Sequence, residues 1–283
     1  MQNVIYHFTD QIAVHIRYLE GDLVPTKPDT IPVFDDSSSF KLTLGSAEIS
    51  LRTDDLASAL NHYVFAAPDA PLKEIEITTT GSTLKIKGRL HSRGDLPFET
   101  EGTLAATPEG EVRLHADKVK AAYVPVKRLL DLLDVRISDL INTKKVTGLR
   151  ADGNDLLLNP GQVFPPPLIQ GKITAVRIEG NRIVQVFGKA AAPSEGRSGG
   201  NFMAYRGAQL KFGKLTMEDT DLVLMDMDPK DPFDFFLAHY KEQLVAGYTK
   251  TTPDFGLRVF MRDFDKLHQP DSHRNPQSRP HTR

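Results

Sequence analysis

The chain has no cysteine, which rules out disulfides, thiolate catalysis and cysteine-ligated metal sites. That absence suits an oxidising cell envelope and equally a cytoplasm. Long apolar runs are missing too, since none approaches the roughly 18 residues that a membrane-spanning helix requires. Charge of one sign is not in excess: a formal net charge of -2 gives no global pull toward nucleic acid or acidic membranes. Catalytic signatures are also lacking. There is no His-Glu-x-x-His, no Gly-x-Ser-x-Gly elbow, and no glycine loop between a strand and a helix. The first residues, Met1-Gln2-Asn3-Val4, carry neither a basic n-region nor an apolar h-region. Either the protein is cytosolic or a leader has been removed.

What is present is ordinary soluble material, 40% hydrophobic and 25% charged, enough for a sizeable core in one large unit or two smaller ones. Period two dominates. Leu84, Ile86 and Leu90 fall on one face and Lys85, Lys87, Arg89 and His91 on the other, as in an antiparallel strand with one wet side. The same alternation predicts strands at Ile12–Val24, Phe40–Leu51 (with a bulge or turn at Gly45-Ser46), Ile75–Thr79, Phe98–Leu104 and Val112–Val119. Further strands are expected near Thr147–Ala151, Leu156–Leu158, Ile169–Ile178, Arg182–Phe187, Phe202–Tyr205, Gln209–Leu215, Leu222–Asp226 and Leu257–Arg262.

The period switches at three places. Thr53 as an N-cap, with Asp54 and Asp55 in the first turn, leads a helix to Phe65 whose stripe is Leu56, Ala59, Leu60, Tyr63 and Val64. Pro125 opens a second helix, rich in Val126, Leu129, Leu130, Leu132 and Leu133. A third is expected from Pro232 to about Tyr248. Residues 189–200 read as a linker, and 267–283 as a disordered tail.

Candidate chemistry is thin. Asp226, Asp228, Asp231 and Asp234 lack the spacing of a calcium loop, so helix capping by Asp231 is the preferred reading. No histidine sits at ligand spacing, and no metal or other cofactor is expected. Glu99 and Glu101 read as solvent-facing residues. Basic residues gather between Leu84 and Ala151, and Lys85, Lys87 and Arg89 share one strand face. An anionic headgroup near a membrane would gain about 1 kcal/mol per basic residue there, although an ordinary solvated sheet face accounts for them as well. Interleaved aromatics for stacking bases are missing, which disfavours nucleic acid.

Several segments carry a family likeness. They are Ser50-Leu51-Arg52-Thr53-Asp54-Asp55-Leu56, Pro71-Leu72-Lys73-Glu74-Ile75, Leu96-Pro97-Phe98-Glu99 and the Val119–Lys127 stretch before the second helix. In their order the chain resembles the LmeA-type phospholipid-binding proteins of bacterial envelopes, which are similar to the tubular lipid-binding (TULIP) superfamily. The likeness covers about residues 40–188. It implies an α+β fold in which a highly twisted antiparallel sheet wraps around two or three helices, with a lipid-binding domain at 1–188. Residues 201–266 would add a β/α extension packed on the same body.

The likeness further implies a non-catalytic, periplasmic or cell-envelope protein that binds, or binds and transfers, a phospholipid or similar amphiphile. Acyl chains would lie against Leu56, Leu60, Val64, Leu129, Leu130 and Leu133, with Lys85, Lys87 or Lys127 at the headgroup. The competing expectation is a structural or protein-interaction module whose sheet is plugged by its own helices and has no ligand cavity.

Overall fold

Alternating apolar and polar side chains fix most of the strands, and the sheets then form where those apolar faces meet. The computed structural model describes residues 1–91, 95–121, 137–144, 146–189 and 200–267. Strands β1 (Gln2–Thr9), β2 (Ile12–Pro25) and β3 (Phe40–Arg52) form an antiparallel meander. The far edge of β3 pairs antiparallel with β12 (Arg182–Gly188), which continues to β11 (Ile173–Glu179). The start of β3 instead takes the short parallel strand β10 (Leu168–Gln170).

On its other side β1 has two neighbours. Gln2 pairs with Phe202 at the start of β13 (Phe202–Phe212), and Val4–His7 run parallel to β15 (Phe233–Phe236). A hairpin joins β13 to β14 (Leu215–Asp226); β17 (Leu257–Met261) and the edge strand β16 (Tyr248–Thr251) complete the sheet. The described residues thus give eleven strands in this first sheet. A second, six-stranded sheet is antiparallel throughout. It runs β4 (Leu72–Thr80), β5 (Thr83–Leu90), β6 (Leu96–Ala106), β7 (Val112–Ala121), then β9 (Asp155–Leu158) and β8 (Leu149–Asp152). Apolar residues of both sheets merge into one core.

The fold is therefore sheet-dominated, with short helices. Helix α1 (Thr53–Ala59) widens into a π-turn at Leu60–Val64; Thr53 is its first residue and not the expected cap, a place Arg52 takes without a side-chain hydrogen bond, and the Thr53 N–H donates to the Asn181 carbonyl at 3.0 Å. Asp55 does not serve the helix end alone: its carboxylate accepts from the Ala13 N–H and from Arg52 Nε at 2.8 Å. The expected helix containing Leu129, Leu130 and Leu133, with Lys127, lies outside the described residues, as do most of the expected linker and tail.

Two expectations are corrected. The predicted helix at Pro232–Tyr248 starts as β15, and its helical part shrinks to Tyr240–Val245. Phe233 and Phe235 are completely buried in the core beside β1, and pairing with that strand outweighs the local helix-start signals of Pro232 and Asp234. The capping role of Asp231 falls with it. The single strand expected at Ile169–Ile178 is also two, β10 and β11, which pair with different strands.

The bulge expected at Gly45-Ser46 is present within a continuous β3: Glu20 pairs with Ser46 and the next residue, Gly21, with Leu44, so Gly45 is the extra residue. A Cβ on Gly21 would sit 2.3 Å from the Thr43 carbonyl oxygen, so only glycine allows the two backbones to approach this closely. A second shift, between Ile16 and Tyr18, lies one turn of the pleat earlier. Bulges of this kind bend and twist a strand, which gives the first sheet its hollow.

Candidate ligand cavity

The hollow of the first sheet holds a cavity of about 440 Å³. Its floor is the inward set of β2 and β3, including Val14, Ile16, Leu42 and Ile49. Met203 and Tyr205 of β13 and Leu222 and Leu224 of β14 form the opposite wall. Phe8 and Phe164, stacked at 5.4 Å, close one side. Exposed Glu20 and Gly21, with half-buried Gln2 and Tyr18, mark the mouth. The Met1 amino group, on the same rim, donates to the Leu19 carbonyl at 2.7 Å.

The described lining contains no lysine, arginine or histidine, and Glu20 is its one carboxylate. Two polar side chains are more than nine-tenths buried within it, Tyr6 at 8% exposure and Gln185 at 9%. Neither the Tyr6 hydroxyl nor the Gln185 amide has a hydrogen-bond partner among the described residues. Burial alone pushes the Tyr6 phenol well above its usual range. Tyr205, by contrast, gives its hydroxyl to the Gln209 carbonyl at 3.1 Å.

A smaller cavity of about 80 Å³ lies between the second sheet and α1. It is lined by Leu56 and Leu60, by Ile77, Leu84 and Ile86 on the sheet, and by Ile137 and Ile141. It shares Pro160, Phe164 and Gln185 with the large cavity, so these three residues stand between the two spaces.

The residues proposed from sequence divide accordingly. Leu56 and Leu60 border the small cavity, and Val64 packs on the core without lining either one. Lys85 and Lys87 lie on the face of β5 away from Leu84 and Ile86, hence away from the small cavity. There Lys85 contacts Glu99 at 2.9 Å, and Lys87 stands between Glu76 and Glu99 on the neighbouring strands. The basic row is thus interleaved with an acidic one. The large cavity drew no sequence signal except one: in Ile183-Val184-Gln185-Val186-Phe187, a glutamine occupies the inward position between Ile183 and Phe187.

The aspartate cluster is organised around Lys266. Its ammonium lies 2.7 Å from Asp231, 2.9 Å from Asp263 and 3.5 Å from Asp228. Asp226 accepts from Asn201 and from the Asp228 N–H, and Asp234 pairs with His7 Nε2 at 2.6 Å. Burial pushes Asp226 above the usual carboxylate range, and pushes Asp263 up to about 6 against hydrogen bonds from Lys266 and the Asp234 N–H. Burial disfavours the Lys266 charge, but its bonds to Asp231 and Asp263 prevail and hold the ammonium above its ordinary range. None of these carboxylates lines either cavity. Among the described residues, no group of three histidine, aspartate or glutamate side chains is placed to hold a metal ion, and no helix is long and apolar enough to cross a membrane. No protein-family model, curated protein or solved structure matches this chain.

Proposed function

We propose that this protein binds an amphiphile non-covalently in the large cavity and does not transform it chemically. The observation that carries this reading is the cavity of about 440 Å³, walled mainly by apolar side chains, with exposed Glu20 and Gly21 at its rim. Apolar chain entering it leaves water, a gain of about 0.8 kcal/mol per methylene. The mouth at Gln2, Tyr18 and Glu20 would keep the polar end of a guest near solvent. The acidic cluster at Lys266 is satisfied internally and lies away from this cavity, and among the described lining residues the one carboxylate, Glu20, sits exposed at the rim.

The resemblance to tubular lipid-binding proteins supports the same reading. On that likeness the sheet would wrap around helices, and the protein would work in the periplasm or elsewhere in the cell envelope. The cavity also favours this reading over a module plugged by its own helices.

Native mass spectrometry of the purified protein, followed by organic extraction, tests the proposal. A co-purifying amphiphile, or uptake of a fluorescent acyl probe that Ile49→Trp abolishes while the protein stays folded, is the expected result. A protein that is empty and also fails to take up such probes would refute it.

A further inference from the structure

We propose that the cavity selects an uncharged amphiphile with a single chain, whose ester, amide or alcohol oxygen is held by the Gln185 side chain. This rests on the reading of the cavity as an amphiphile site and narrows it in three ways.

The first concerns size. At about 30 Å³ per water-sized group, a space of 440 Å³ takes about 15 non-hydrogen atoms. That is one medium-length chain. The two acyl chains of a phospholipid exceed it, and the small cavity beyond Gln185, at 80 Å³, adds room for only about three atoms more.

Charge is the second. A carboxylate or phosphate drawn inside would lose its hydration, and the described wall offers it no cationic side chain. The one side-chain charge on the lining, Glu20, is negative and sits at the mouth. The Met1 amino group on that rim is already directed to the Leu19 carbonyl. The Met1 ammonium and Glu20 offset each other at the mouth, so an anionic guest loses through desolvation in the uncharged interior.

The third is hydrogen bonding. Buried polar groups in folded proteins are nearly always bonded, yet the Gln185 amide has no partner among the described residues while being nine-tenths buried. A carboxamide presents both N–H donors and a carbonyl acceptor. It thus matches a neutral ester or amide carbonyl, or a hydroxyl, without needing a charge. Its place is equally specific. Gln185 stands where the two cavities meet, so a carbonyl bound there would send its long chain into the large space and a short substituent of two or three atoms into the small one.

The test compares four probes on delipidated full-length protein, by displacement of Nile red: ethyl laurate, laurate, dodecane and phosphatidylcholine vesicles. Ethyl laurate is expected to bind about tenfold more tightly than dodecane, the order that one hydrogen bond to an otherwise unpartnered buried amide supplies. Laurate should bind more weakly than the ester, and vesicles should neither displace the dye nor lose phospholipid to the protein. Gln185→Leu should erase the preference for the ester over dodecane while Nile red still binds; Gln185→Met serves the same purpose if the leucine variant does not fold.

Laurate binding as tightly as its ester, phospholipid extraction, or an ester preference that survives both substitutions would overturn the inference. Dodecane binding with no preference for the ester sinks this proposal alone. Failure of Nile red and all four probes to bind sinks the amphiphile reading itself.

Discussion

Replacing Gln185 by leucine should make the ligand-free protein more stable, an unusual direction for a substitution at a buried position. The wild-type side chain is 9% exposed, lies between Ile183 and Phe187 on the inward face of β12, and has no hydrogen-bond partner among the described residues. Its amide atoms open onto the cavity and are not shut in the packing, so leaving them unbonded costs about 1 kcal/mol, the low end for a buried amide. Leucine has a similar length, bears no polar atoms and meets the apolar neighbours of both cavities, so it recovers that cost and adds contact. For a chain of this size each kcal/mol moves the melting temperature by about 2–4 °C. A rise of about 2–4 °C follows for Gln185→Leu, measured by calorimetry after exhaustive delipidation on a hydrophobic resin. Delipidation matters because a bound guest stabilises the wild type by mass action and would mask the gain. Added ethyl laurate should narrow the gap, because it stabilises the wild type more than the variant. A delipidated leucine variant that melts below the wild type would refute the argument, since the amide would then be contributing a bond.

Two further outcomes follow from other parts of the molecule. Phe235 is completely buried between β1 and the Phe34 ring, and Phe235→Ala should cost about 3–5 kcal/mol in urea unfolding; a loss below about 1 kcal/mol would mean that β15 is not docked as described. Asp263, 2% exposed, has its pKa raised by burial from 3.8 to about 6. The folded state therefore holds this proton more tightly than the unfolded state. Its contribution is most favourable below about pH 4 and is lost as pH rises to 6, a change of about 3 kcal/mol. The stability difference between wild type and Asp263→Asn should accordingly fall across that window and stay level above it, and a difference that is flat from pH 4 to pH 7 would contradict the burial described.

Strand positions were largely legible because period two is a local signal. Ile12–Val24, Phe40–Leu51 and Arg182–Phe187 match β2, β3 and β12 to within one residue at each end. β15 was hidden by its own flanks: Asp231-Pro232 imitates a helix start, and the strand character of Phe233–Phe236 depends on a partner more than 220 residues away. β1 went unassigned although Val4, Tyr6 and Phe8 alternate as clearly as the residues of β2.

The cavity was illegible for a different reason. Each apolar lining residue, taken singly, reads as ordinary core, and the space between them arises only when strands distant in sequence, β13 and β14, join β2 and β3 around it. Leu56 and Leu60 were correctly placed on an inward stripe, yet that stripe faces the second sheet and the smaller of the two spaces. Gln185 was the one readable clue, a polar residue where the alternation demanded an apolar one.

The pairing of β1 with β15 has a consequence for biosynthesis. β1 finds β2 as soon as both are made, but its other edge stays bare until residues 202 and 233–236 have followed. In the interval between β1 and β15 the nascent protein therefore presents an unpaired apolar margin, the kind of surface that recruits chaperones or seeds aggregation. Closing so long a loop is slow, and a polypeptide ending before Phe233 would keep that margin open permanently.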